Sequence, residues 1–380
     1  MTKPKKVLQV LGGLNRGGAE TLVMNIYRNI DREQFQFDFV IHTSENGAYY
    51  DEIVSLGGKV YHCPQYTGKN HFAYKKWWKG FFEKHEEYQV VHGHVRSTAA
   101  IYLKVAKKYG CYTIAHSHSS SSGKGIAAII KNILQYPIRY TADYFLGCSQ
   151  IANEWLFGKK VANDPRKCSI LKNGIDITKF SYHPDIRNTY REELGIENHF
   201  VIGTVGRIEQ PKNPFFILEI FNEILKAKEN AKLLWVGDGA LTPFVKEKII
   251  KLNIQEQVLM VGSRDNVSDY LQAMDIFLFP SLWEGLGMCL IEAQATGLPC
   301  VCSDVIPHEA DVTDLIVRAP LSASIEDWAN KCFSVFCKFR ESKTAEIEKA
   351  NYDIRQVVDQ LRRIYETCSN KTTRISHIVK

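Results

Sequence analysis

The chain predicts an α/β protein of two Rossmann-like domains facing a cleft, and three observations predict it. Its 380 residues exceed what one hydrophobic core usually fills, so two domains are expected. Short β-rich apolar runs alternate with helical patterns along the whole length, which is the order of βαβ units around parallel sheets. Most of these runs end in Gly, Ser or His, and ligands bind at the carboxyl ends of parallel strands.

Strands of the first half are read at KVLQVL (6–11), FQFDFVIH (35–42), KVYHC (59–63), YQVVHGH (88–94), CYTIAHS (111–117) and DYFLGCS (143–149). Those of the second half are FVIGTVG (200–206), KLLWVG (232–237), QVLMVG (257–262), DIFLFP (275–280) and LPCVCS (298–303). The polar, turn-rich segment 173–198 between the two series reads as linker and lead-in. A last helix is expected over about 344–368, followed by a polar tail that frays. HSSSSGKG (118–125), after a strand end, reads as a loop, and it lacks the leading Gly of a P-loop. The expected domains are residues 1–175, 176–345, and a C-terminal helix with tail, 346–380, that can pack back on the first domain.

The composition, 45% hydrophobic and 24% charged, is that of a globular protein and excludes a disordered chain. No signal-peptide core and no apolar run near 18 residues is present, so ten scattered cysteines read as reduced thiols in the cytosol. Charge is uneven. Residues 1–180 hold 25 Lys+Arg against 14 Asp+Glu, and the remainder 23 against 28. A basic first half suggests an anionic partner, with solvated surface the plainer explanation of much of it.

Two stretches carry chemistry. In PSLWEGLGMCLIEAQATG (280–297) a buried strand leads through Gly285-Leu286-Gly287 into a helix ended by Gly297 and Pro299. Free N–H groups at that helix start suit a phosphate, and Glu284 and Glu292 can flank it. The alternative makes Glu284 a partner of the helix dipole and Glu292 half of a structural ion pair. In IGTVGRIEQPKN (202–213), Arg207 follows a strand end and Lys212 comes five residues later. Two cations there match the charge of a diphosphate.

These residues resemble the retaining GT-B glycosyltransferases of glycosyltransferase family 4, and the likeness covers nearly the whole chain. It rests on GGLNRGGAE (12–20), NGID (173–176), the Arg207/Lys212 pair, VGDG (236–239) and the E-x7-E pair Glu284/Glu292, and it looks closest to capsular and exopolysaccharide enzymes. The resemblance implies that Glu292 binds the donor ribose and Glu284 a hydroxyl of the transferred sugar. Gly285, Leu286 and Gly287 would face sugar and diphosphate, Arg207 and Lys212 would neutralise the leaving diphosphate, and Gly18 would bring the N-terminal loop near it. Arg264, in VGSRDNV (261–267), would contact the base. A histidine at the end of CYTIAHS would touch the sugar near the reacting carbon. His118, nearer the loop, is favoured, with His116 the alternative. His94 can line the acceptor side, although loop packing is the plainer reading for it and for His92.

No Asp-x-Asp and no Cys/His cluster of zinc spacing occurs, so no metal or other cofactor is expected. For the acceptor, HFAYKKWWKGFFEKHEEY (71–88) mixes Lys75, Lys76 and Lys79 with Trp77, Trp78, Phe81 and Phe82, and Lys104, Lys107 and Lys108 follow. It reads either as an anionic-membrane surface or as a helix with buried aromatics and solvated lysines. The expected activity is transfer of a sugar from a nucleotide-diphosphate donor, UDP-linked, to a saccharide or polyprenyl-linked saccharide, in the cytoplasm at the inner membrane face. Nucleic acid is not an expected partner. A UDP-sugar 2-epimerase and a silent nucleotide-sugar-binding partner are the alternatives. A dinucleotide oxidoreductase is disfavoured, because no G-x-G-x-x-G follows the first strand.

Overall fold

The computed structural model describes residues 3–119, 125–337 and 339–376. The chain divides into unit 1, Met1–Gly174 with Ile354–Lys380, and unit 2, Ile175–Asp353.

Unit 1 alternates β1 (Lys5–Leu11), α1 (Gly18–Asn29), β2 (Phe35–Ile41), α2 (Tyr50–Ser55), β3 (Val60–His62), α3 (His71–Lys84) and β4 (Tyr88–Gly93). It continues with α4 (Arg96–Lys108), β5 (Tyr112–Ser117), α5 (Ile126–Gln135), β6 (Tyr144–Gly147), α6 (Gln150–Phe157), α7 (Lys159–Ala162) and β7 (Cys168–Ile170). The sheet is parallel, in the order β3-β2-β1-β4-β5-β6-β7. Its strands are apolar on both faces, as a doubly covered sheet requires. Val7, Phe37, Val90 and Ile114 pack under α1 and the C-terminal helix, while Leu8, Val40, Val91 and Ala115 pack under α3 and α4.

Unit 2 holds α8 (Pro184–Glu193), β8 (Phe200–Val205), α9 (Pro214–Ala227), β9 (Ala231–Val236), α10 (Thr242–Lys251), β10 (Val258–Gly262) and α11 (Val267–Ala273). Then come β11 (Ile276–Phe279), α12 (Met288–Ala295), β12 (Cys300–Ser303), β13 (Ile316–Ala319), α13 (Ile325–Val335) and α14 (Thr344–Lys349). Its parallel sheet runs β10-β9-β8-β11-β12-β13. Each order reverses direction beside its first strand, at β1/β4 and at β8/β11, and such switch points are where open α/β sheets bind ligands.

Several expectations are corrected. β7 and β13 were not anticipated; each is an edge strand, three and four residues long. Within the expected linker, residues 184–193 form α8, fastened by Arg187 and Arg191 to the buried Asp275 carboxylate and to carbonyls of Gln272, Met274 and Ala273. The expected helix over 344–368 is two helices, α14 and α15 (Ile354–Ser376), separated by the left-handed Asn351 (φ 61°). Ile347 and Tyr352 pack into unit 2, so the chain returns to unit 1 at Ile354 rather than at 346. The tail is helical to Ser376; residues 377–380 and most of the expected HSSSSGKG loop, 120–124, lie outside the described residues. Of the two readings of 71–88, the structure has the helix with buried aromatics: Trp78, Phe81 and Phe82 are buried on the sheet with Tyr74. The lysines of α3 are solvated.

Candidate active site

Beside the switch point of unit 2, the ends of β8 and β9 come close. A Cβ on Gly237 (φ 144°) would sit 2.0 Å from the Gly206 carbonyl oxygen, so only glycine lets β8 and β9 end side by side. Beyond Gly206 the chain makes a 3₁₀ turn at Gln210–Lys212, which carries Lys212 back over Gly206. The Leu282 N–H donates to the Pro211 carbonyl, 2.8 Å, and Asn213 Nδ2 to the Pro280 carbonyl, 3.2 Å. Those bonds tie the loop after β11 to the loop after β8.

Lys212 Nζ thereby lies 2.6 Å from Glu284 Oε1 and 4.6 Å from the centre of the Phe279 ring. The Gly285-Leu286-Gly287 turn follows, with Gly287 (φ 87°) as N-cap of α12 and no capping side chain. The first N–H groups of α12 are thus left for a ligand, with the positive end of the helix dipole behind them. Glu292 stands just over one turn inside α12. Burial pushes its carboxyl up to about 7, against the opposing pull of Lys212. None of the described residues donates a hydrogen bond to it. Burial disfavours the Lys212 ammonium, but the Glu284 carboxylate beside it helps to outweigh that cost, and its pKa is raised. The Cys289 thiol itself is pushed up to about 12 by burial and is inert at neutral pH.

Lys212, Glu284, the Gly285–Gly287 turn and Glu292 are therefore brought together as expected. Arg207 is not part of this buried set: its side chain is 72% exposed and pairs with Glu209 at 3.1 Å, yet it acts on Lys212 through its charge. Arg264 is exposed after β10, its Nε donating to the Val261 carbonyl. Gly18 opens α1 in unit 1, where a Cβ would meet nothing within 4 Å.

A second set forms at the switch point of unit 1. Gln9 on β1 is in register with His92 on β4. His94 lies two residues beyond His92, and His116 and His118 continue the same face of β5. Gln9 roots two chains of hydrogen bonds. In one, its Nε2 donates to the Tyr365 hydroxyl (3.1 Å), which meets His92 Nδ1 (2.7 Å), and His92 Nε2 meets His116 Nδ1 (3.2 Å). In the other, Gln9 Oε1 accepts from His94 Nε2 (2.9 Å), and His94 Nδ1 meets His118 Nε2 (2.7 Å). Burial drives all four imidazoles below their ordinary 6.5, His118 to about 3. They are neutral, each with one N–H.

With the amide so oriented, the second chain ends on a bare His118 Nδ1. With Tyr365 donating to His92, the first ends on a His116 Nε2–H. These two nitrogens are buried and have no partner among the described residues, so one acceptor and one donor are left for a ligand. His92, Gln9 and Tyr365 were not anticipated as site residues, and His94 is a link in the network rather than a loop-packing residue. Side-chain nitrogens of His92, His94 and His116 lie within 4.8 Å of one another, a grouping that strand pairing builds and sequence spacing hides. Both ring nitrogens of His92 and His94 are already committed to hydrogen bonds.

Two doubly wound units, each with a polar cluster at its switch point, have the architecture of the GT-B fold. HepE of Anabaena, solved with UDP and glucose, superposes with a TM-score of 0.77 over 95% of this chain and 99% of its own, at 15% identity. Residues 16–179 match the family model Glycosyltransferase Family 4, and residues 186–315 match Glycosyl transferases group 1. The putative glycosyltransferase EpsF of Bacillus subtilis (strain 168) is 30% identical over 376 residues, 97% of this chain and 98% of EpsF. The UDP-Gal:alpha-D-GlcNAc-diphosphoundecaprenol alpha-1,3-galactosyltransferase of Escherichia coli is 29% identical over 231 residues, 58% of this chain and 59% of its own. The chain belongs to the same glycosyltransferase family as EpsF and is a glycosyltransferase.

Proposed function

We propose that this enzyme is a retaining transferase of family 4 that moves a sugar from a UDP-sugar to a polyprenyl-diphosphate-linked or exopolysaccharide acceptor, at the cytoplasmic face of the membrane. The observation that carries the donor half is Glu292, a half-buried carboxyl with no hydrogen-bond donor among the described residues, beside the Lys212–Glu284 pair. A ribose diol offers such a carboxylate two donors, and its burial cost is then offset. The diphosphate would lie on Lys212, Arg207, the amides of Gly285, Leu286 and Gly287 and the start of α12. As the diphosphate draws on Lys212, Glu284 is released to a hydroxyl of the transferred sugar. The acceptor half is supported by the galactosyltransferase relative, whose acceptor is diphosphoundecaprenol-linked.

In the reaction the bond from the anomeric carbon to the leaving phosphate oxygen breaks. The acceptor oxygen bonds to that carbon on the same face, and its proton passes to the departing phosphate. His118, or His116 beside it, would hold a sugar hydroxyl near the reacting carbon. Lys212, Arg207 and the helix start supply the positive charge that a divalent ion would otherwise bring, so turnover should survive EDTA.

A melting-temperature screen against UDP-, GDP- and ADP-sugars, with and without EDTA, tests the donor. A ligand at a hundred times its Kd stabilises by about 2.7 kcal/mol, which is several degrees. The UDP-sugars should raise the melting temperature in EDTA. A shift by GDP- or ADP-sugars alone, or one that chelation abolishes, contradicts the proposal.

A further inference from the structure

α5 is turned inside out. At 100° per residue, Ile126, Ile129, Ile130 and Ile133 share one face, and they are 77%, 59%, 53% and 67% exposed. The opposite side is the buried one, and it holds Ala128 and the polar Gln135. Tyr136 and Tyr140, 52% and 75% exposed, extend the stripe into the following 3₁₀ turn. A soluble helix normally buries its isoleucines and solvates its glutamine, and an exposed apolar stripe of this length marks an interaction surface.

The charge around the stripe says what covers it. α5 packs beside α4, and α4 beside α3. Residues 71–140, which span these helices, contain eleven Lys+Arg, three glutamates and no aspartate, a balance of +8 where the whole chain carries +6. Lys75, Lys76, Lys79, Lys104 and Lys108 are exposed, and Phe72 at the start of α3 is 86% exposed. An apolar stripe on a helix whose neighbours carry unbalanced cations fits the boundary between acyl chains and anionic headgroups. No helix of the described residues is long and apolar enough to cross a membrane.

We propose that the Ile126–Tyr140 face of unit 1 seats on an anionic lipid bilayer, with isoleucines at acyl depth and the lysines of α3 and α4 at headgroup phosphates. The inference deepens the reading of a lipid-linked acceptor given above, because it brings unit 1 to the surface in which such an acceptor is anchored. It also moves the contact away from the buried aromatics of α3.

The test is flotation of the full chain with vesicles of phosphatidylcholine, pure or mixed with phosphatidylglycerol. The wild type is compared with the double variant Ile129→Asp, Ile133→Asp and with Lys75→Glu, Lys76→Glu, Lys79→Glu. The wild type should float with the anionic vesicles, less so at high salt. The isoleucine variant should lose at least about tenfold in partitioning, with its melting temperature and UDP affinity unchanged. The lysine variant should lose only the salt-sensitive part. Equal flotation of wild type and isoleucine variant overturns the proposal. So does a wild type that ignores vesicles and instead sediments as a dimer that the isoleucine variant dissociates, since a second copy would then cover the face. Vesicle binding needs neither donor nor acceptor, so a protein that floats but binds no UDP refutes the donor assignment and leaves this surface standing.

Discussion

Replacing Glu292 by Gln keeps the shape and an acceptor oxygen and removes the charge, and the structure assigns that charge a specific signature. In the unliganded protein the carboxyl titrates near 7 against an ordinary 4.5, a preference for the neutral form of about 3 kcal/mol. That preference stabilises the fold fully below 4.5 and is lost as pH rises through 7. Glu292→Gln should therefore melt like wild type at pH 4.5 and above it at pH 8. Ligand binding should run the other way. Two ribose hydroxyls donate to the ionised form, so a UDP-sugar binds best when Glu292 is charged. At pH 6 about one carboxyl in ten is ionised, and wild-type affinity should be about tenfold weaker than at pH 8. The variant should show no such slope, and at pH 8 should bind roughly ten- to a hundredfold more weakly than wild type, from the loss of a charge-assisted pair worth about 1.5–3 kcal/mol. Calorimetric titration of UDP-glucose, which has no terminal phosphate to titrate, at pH 6, 7 and 8 in two buffers measures both effects. Wild type should release protons on binding near pH 7. Parallel pH profiles for the two proteins, or binding without proton release, would show that the Glu292 carboxylate does not meet the ribose.

Lys212→Ala should weaken UDP at least about tenfold, whereas Glu284→Ala should leave UDP affinity nearly intact and depress kcat, as expected of a contact made with the sugar in the transition state; equal losses of UDP from both variants would show that the pair acts only as a unit. Tyr365→Phe removes the proton given to His92, so ¹⁵N NMR should show the tautomers of His92 and His116 change while those of His94 and His118 hold. Transfer should fall with UDP affinity unchanged, and an unaltered tautomer pattern would sink the proton assignment. The four buried neutral histidines lie below their ordinary 6.5, so their stabilisation is present above 6.5 and lost as pH falls toward 3. The melting temperature should drop steeply over that range, and His118→Gln should flatten the drop.

Most of the fold is visible in sequence because parallel strands buried on both faces are continuous apolar runs. β7 and β13 escape that test, being part-exposed edge strands in which Ser169 and Arg318 interrupt the apolar residues. α8 escapes it because its anchorage is polar: Arg187 and Arg191 grip Asp275 and carbonyls where periodicity would look for leucines. Glu292 is legible as a carboxylate in an apolar helix, but its isolation is not, since Lys212 is taken by Glu284, 72 positions away. The histidine network is half legible. Gln9 is a lone polar residue inside KVLQVL and could have been questioned, whereas Tyr365 lies 356 positions from it and carries no signal. The outward-facing isoleucines of α5 carry no sequence signal, because an apolar helical face looks the same whether it is buried or exposed.

The most direct measurement is a crystal structure of the protein soaked with UDP. Both ribose hydroxyls should lie within hydrogen-bond distance of the Glu292 carboxylate, and the diphosphate against Lys212 and the first N–H groups of α12, with Glu284 withdrawn from Lys212. UDP bound elsewhere, or bound here with its ribose turned away from Glu292, would contradict the donor assignment.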